Sequence, residues 1–364
     1  MRASLRVILA ALCFAAFPAF AQDGHGAAGF WKSVQARCDA TAARPASERA
    51  KHVAQNAIEE FDRFGGHRID AKGRMFHFGL TDAEQAEEYG GEHKTPVGDL
   101  AWWRVMKYWR ALYGDDIGDK LEVRGYRDAS AATGDEQTAT LLRADLADLL
   151  RAADTVSDPA TRELLRESVM RAAIIDTPWS AAFISYVVRE AGVEPNAFHF
   201  ANAHRVFIYD AFATSVAEAA GKASDQLYRA CPLSATRPRV GDLVCFQREA
   251  ALAGASEQEV RERIRAEVAE NAEARSVHKT HCDVIAFIDA PARKMYAIGG
   301  NVDHSVGVRK LNLHGRSLKF AAVQKANCGR PGDWTLPTPS GEPAPPLATC
   351  SLADRKWFVL LQMR

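Results

Sequence analysis

The apolar pattern changes character past the middle of this chain of 364 residues, and that change limits the fold more than any other feature. As far as Ala220 most apolar residues recur every three or four positions; beyond it most gather in short runs bounded by turn residues. Five runs read as strands, at 242–247, 282–289, 294–298, 305–311 and 356–362. The short connections among the second, third and fourth favour antiparallel pairing. Helices first and strands afterwards predict an α+β fold, not a doubly wound parallel sheet.

The helical half reads in order. A helix is expected over 47–64, stopped by Gly65 and Gly66, then a hairpin over 68–79 that turns at Asp70 to Gly73. An aromatic helix follows at 99–112, with Trp102, Val105, Met106 and Trp109 on one face. A loop at 114–135 leads to helices at 136–153 and 159–175, the latter opened by Asp158 and Pro159, and another helix covers 198–220. Residues 249–275 are rich in Ala, Glu and Arg, with Glu257–Arg261 and Glu259–Arg263 four apart, the pattern of a solvated helical insertion. The proline-rich stretch 328–350 reads as a surface loop.

Between these helices lies the stretch 177–192, Thr-Pro-Trp-Ser-Ala-Ala-Phe-Ile-Ser-Tyr-Val-Val-Arg-Glu-Ala-Gly. Asp176 or Thr177 can cap a helix, Pro178 suits its first position, and Gly192 suits the residue past its end. Trp179, Ala182, Phe183, Tyr186 and Val187 share one face while Ile184 and Val188 make the other apolar, so the helix is expected to be buried nearly all round. Ser180 falls in its first turn. Backbone N–H groups there lack intrahelical partners and the helix dipole favours negative charge, which suits a nucleophile that forms an oxyanion.

Residues 1–21 read as a secretory signal: Arg2 and Arg6, an apolar run, and Ala19-Phe20-Ala21 before Gln22. The mature chain is expected to be periplasmic or secreted, with no membrane insertion after cleavage, because no other stretch is long and apolar enough to cross a bilayer. Lys plus Arg number 46 and Asp plus Glu number 46, so bulk charge recommends no nucleic acid as partner. Cys38, Cys231, Cys245, Cys282, Cys328 and Cys350 survive cleavage, an even set in a compartment that permits disulfides, and Cys328–Cys350 is the preferred pair. Neither Cys-x-x-Cys nor His-Glu-x-x-His occurs, and the chain is read as using no metal and no other cofactor.

A serine nucleophile needs a base. His281 opens the second strand, and Asp283, two residues on, shares its face and can orient the imidazole. Asn301 follows Gly299-Gly300 at the end of the next strand and can do the same. His278, His304, His199 and His204 compete; His204 follows soon after the central helix and can reach its mouth. With Trp179 and Tyr186 it forms the expected lining of a pocket for a sugar or peptide.

Four motifs in this order, 178–192, 239–246, 280–286 and 298–302, resemble the bacterial family DUF2272 of exported proteins of unknown function, and the aromatic helix with Val105, Tyr108, Trp109 and Arg110 resembles its amino-terminal part. The order is also similar to the wider NlpC/P60 and CHAP group of papain-like amidases and peptidases. That resemblance implies a helical amino-terminal region at 22–155 and a papain-like α+β domain at 156–364, its helices packed on an antiparallel sheet. It places the nucleophile at Ser180, the base at His281 and the third residue at Asn301 or Asp283. Those enzymes use cysteine where this chain has Ser180, and a helix dipole that readily ionises a thiol does not bring a hydroxyl near neutral pKa. Two functions are therefore expected: an exported amidase- or peptidase-like hydrolase acting on amide or ester bonds, with cell-wall peptide as substrate, or an inactive module of the same fold that binds cell-wall peptide or glycan.

Overall fold

Capping and proline chemistry set most of the helix boundaries. The protein is seen here as a computed structural model, which describes residues 27–69, 75–83, 100–128, 139–249, 254–271, 278–321, 353 and 355–364. Helix α1 (Ala27–Ala42) precedes α2 (Glu48–Arg63), which starts where the Ser47 hydroxyl accepts the Ala50 N–H at 3.2 Å. Short strands β1 (His67–Ile69) and β2 (Met75–His77) pair antiparallel; the expected turn at 70–73 lies outside the described residues. The aromatic helix α3 (Ala101–Tyr113) comes next.

The chain then departs from the local pattern. Strand β3 (Glu122–Asp128) occupies the expected loop, and β4 (Ala139–Asp145) occupies the first half of the helix expected at 136–153, of which only α4 (Leu146–Asp154) is helical. The two strands pair in unbroken antiparallel register from Glu122↔Asp145 to Asp128↔Ala139, a non-local interaction that overrides helix propensity. Helix α5 (Pro159–Asp176) starts as predicted, with the Asp158 carboxylate accepting the Thr161 N–H at 2.7 Å. It runs to Asp176, so the next helix, α6 (Ser180–Glu190), begins at Ser180 and not at Thr177. Thr177 is drawn to φ −101° and ψ 114°, the extended geometry that a following proline imposes, and Pro178 has no N–H with which to continue α5.

Helix α7 (His204–Ala219) begins later than the pattern at 198–220 indicated. The Ser185 hydroxyl both donates to the Ala201 carbonyl and accepts the Ala201 N–H, which holds the preceding segment out of a helix. Then follow β5 (Tyr228–Pro232), β6 (Leu243–Gln247), α8 (Glu257–Glu270), β7 (Thr280–Asp289), β8 (Lys294–Val302), β9 (Ser305–His314), β10 (Lys319–Phe320) and β11 (Lys356–Met363). Strand β5 is buried at every position, so it carries no alternation by which it could be found in the sequence.

Nine strands form one sheet in the order β2-β1-β9-β8-β7-β6-β11-β5, with β10 beside β9. The β1–β9 contact is parallel and the other pairings are antiparallel. The fold is α+β, as the change of period predicted. Alternation along β7 separates two cores: Cys282, Val284 and Ala286 join the larger cluster with α2, α3, α6, α7 and α8, while Ile285 joins a second cluster that α1 completes with Phe30, Val34 and Cys38. The larger cluster takes residues from both sides of position 155, from Ala50 to Met363. Helix α8, expected as a solvated insertion, buries Val260, Ile264 and Val268 in it. Disulfides join Cys38 to Cys231 and Cys245 to Cys282, the second between residues directly opposite in β6 and β7. Cys328 and Cys350 lie outside the described residues. Such bonds persist in oxidising compartments outside the cytoplasm. Among the described residues no helix is long and apolar enough to cross a membrane.

Candidate active site

Ser180 is the first residue of α6, which lies against β7 and β8. The first α6 amide to reach a carbonyl four residues back is that of Phe183, 3.0 Å from the Trp179 oxygen, so the amides of Ser180, Ala181 and Ala182 form the unpaired first turn. Ser180 is buried, and its Oγ is 2.8 Å from Nε2 of His204, the first residue of α7. Burial above all, then the nearness of His281 and Arg248, holds the His204 pKa well below the ordinary histidine value, so its ring is neutral. Its Nδ1 is buried and has no hydrogen-bond partner among the described residues.

The His204 ring centroid is 4.8 Å from that of His281. His281, at the start of β7, places Nε2 2.9 Å from Asp283 Oδ1, and Arg309 of β9 donates to Asp283 Oδ2 at 2.5 Å. This pairing follows from the strand period: His281 and Asp283 share a face, as the sequence indicated. That face is the one bearing Ile285 and Phe246, opposite Cys282 and the α6 side. The Ser180 hydroxyl therefore meets His204 and not His281. Burial lowers the His281 pKa against the pull of Asp283, with Arg309 and Arg248 adding to the fall. For Asp283 burial acts to raise the pKa, but Arg309 and His281 outweigh it and keep the carboxylate ionised below its usual range.

The β8–β9 connection brings Asn301 to the same place. Val302 pairs with Ser305, and Asp303 and His304 between them have φ of 51° and 64°, the double left-handed geometry of a type I′ turn. Asn301 is itself left-handed at φ 53°, in the irregular register between Gly299 and Val302. Two glycines make room: a Cβ on Gly299 would lie 1.9 Å from Asp283 Oδ1, and one on Gly300 would lie 2.4 Å from Phe183 Cβ. A buried Asp82 ties this turn to α6, accepting the Trp179 indole N–H at 2.7 Å, facing His304 Nδ1 at 3.1 Å, and donating its own N–H to the His304 carbonyl at 2.8 Å.

A cavity of about 200 Å³ opens beside His281, lined by Phe246, Arg248, Asn301, Val302, Asp303, Arg309 and Arg355. Trp179 is wholly buried against Phe64 and Tyr108, and Tyr186 packs on Tyr108, so neither aromatic lines this cavity. Of the competing histidines, His199 pairs with Asp210, His278 with Glu249 and His304 with Asp82. Sequence reasoning missed Arg309 and Asp82. Arg309 could have been sought as the residue alternating with Val308 on the strand beside Asn301; Asp82 lies in a segment with no periodic signal.

Fold and site together define an α+β protein in which a serine–histidine pair at a helix start stands beside a histidine–aspartate–arginine chain on the sheet. Residues 96–363 match the family described as uncharacterized protein conserved in bacteria (DUF2272), and the chain belongs to that family. No curated protein and no solved structure matches it.

Proposed function

We propose that this protein is an exported serine hydrolase of the papain-like NlpC/P60 and CHAP kind, acting on amide or ester bonds, with cell-wall peptides as its substrate. The observation that carries this reading is the 2.8 Å contact between Ser180 Oγ and a buried, neutral His204 at an unpaired helix start. Ser180 Oγ attacks the carbonyl carbon while its proton passes to His204 Nε2, and the first-turn N–H groups of α6 receive the oxyanion. Collapse expels the amine or alcohol, which takes the proton from His204 and leaves an acyl-Ser180 ester. Water then repeats the cycle: His204 Nε2 takes its proton as it attacks the acyl carbon and gives it to Ser180 Oγ as the acid departs, while His281, tied to Asp283, and Asn301 line the cavity that holds the substrate. The family resemblance assigned the base to His281; the contact of Ser180 with His204 supports moving it to His204.

A binding module of the same fold is the second reading, favoured by one observation: His281 and Asn301 line the cavity and Ser180 does not. Digestion of purified sacculi, followed by mass spectrometry of released peptides, separates the two. The parent is expected to release fragments that disappear with Ser180→Ala and with His204→Ala. Binding of sacculi without release, equal in parent and Ser180→Ala, would establish the module instead.

A further inference from the structure

The cavity beside His281 is edged by three guanidinium groups, of which Arg248 and Arg355 have no part in the proposed chemistry. Arg309 and Arg355 lie over the same Phe246 ring, at 5.5 and 5.8 Å from its centroid, and the His281 ring is 5.1 Å from it. Arg248 lines the cavity from the end of β6. Arg309 is buried and donates to Asp283 Oδ2. Among the described residues none lies within ion-pair distance of Arg248 or Arg355, both of which are exposed at the cavity mouth. Among the described residues of the lining, Asp303 is the one carboxylate. The Arg355 pKa falls through partial desolvation and then through Arg309, with Arg248 adding to the fall, against the pull of Asp303 and Asp283.

Among the described residues of the lining three arginines face one carboxylate, and positive charge gathered round a pocket of this size is the complement of an oxyanion. Arginine presents planar paired donors that match carboxylate or phosphoryl oxygens, and an apolar ring beneath the guanidinium groups keeps them aligned. We infer that this cavity is an oxyanion-binding subsite in which Arg248 and Arg355, with Arg309 behind them, hold a carboxylate or phosphoryl group of the substrate beside His281. The subsite rests on the hydrolase reading only for the role of its occupant. It narrows the substrate to an acyl compound with a negative group close to the bond cut.

The test is isothermal titration of the mature Ser180→Ala protein, which cannot turn substrate over, with acetyl-alanyl-glutamate, its uncharged diamide, and inorganic phosphate. At least one anion is expected to bind, with the diamide about tenfold weaker or worse, and the Arg248→Gln/Arg355→Gln protein is expected to lose about tenfold for that anion at an unchanged melting temperature. The ranking of acetyl-alanyl-glutamate against phosphate says which oxyanion the subsite prefers. Equal binding of the dipeptide and its diamide with no binding of phosphate, undiminished anion binding by the double variant, or no binding of either anion would overturn the inference. Failure of the hydrolase reading looks different: the parent would leave sacculi intact while anion binding persisted.

Discussion

At the scale of single residues the account turns on two neutral histidines packed against each other. His204 and His281 are buried and both have pKa values below the ordinary histidine value, so the unfolded chain takes up protons near pH 6.5 that the folded protein refuses until lower pH. Their contribution to stability is thus complete above about pH 6.5 and shrinks as pH falls, by at most about 1.4 kcal/mol per pH unit for each ring. Asp242, buried and pushed up to about 7, acts with the opposite sign between about pH 4 and 7, so the comparison with a variant is what isolates the histidines. Urea unfolding of the parent at pH 7 and pH 5 is expected to show a larger fall toward acid than His204→Gln shows. Equal falls would mean that His204 is not held neutral by the fold. At this scale the sequence was partly legible: a strand places residues two apart on one face, which predicted the His281–Asp283 pair. It did not predict the partner of Ser180, because 24 residues separate Ser180 from His204 and only the tertiary fold brings the start of α7 to the start of α6.

Elements position the site through close approach. Helix α6 rests on the sheet at Gly300, where Phe183 and the Trp179 ring fill the space a side chain would take. Gly300→Ala is expected to lower stability by about 1–3 kcal/mol, the usual cost of overpacking, and to reduce turnover by shifting the start of α6. A chemical melt and an activity assay on one preparation check both; an unchanged melt would contradict the packing. The break between α5 and α6 explains why the proline signal misled. Pro178 marks a helix boundary correctly, but it ends α5 and lies in a three-residue step, 177–179, before Ser180, where the sequence pattern joined it to the following helix. Strands β3 and β4 were hidden for another reason: their order comes from pairing with each other, which a local window cannot see.

Across the whole molecule, helices before residue 155 and strands after it share one core, and the Cys38–Cys231 bond fastens α1 to β5 over a separation of 193 residues. A link over so long a loop restricts the unfolded chain strongly, so Cys38→Ser with Cys231→Ser is expected to cost about 2–4 kcal/mol, read as a lower urea midpoint in the variant. No change would place the bond's contribution elsewhere. The α+β class was legible because helical spacing dominates the first part of the chain and strand runs the last, whereas the disulfide partners were not, because many pairings satisfy an even set of cysteines. The central claim is that His204 makes the Ser180 hydroxyl nucleophilic. Its most direct test is mass mapping of the mature protein after treatment with a fluorophosphonate at neutral pH, beside the His204→Ala protein. The account predicts a phosphonyl adduct on Ser180 of the parent, formed at least about a hundredfold more slowly in His204→Ala. No adduct on Ser180, or one that forms equally fast without His204, would contradict it.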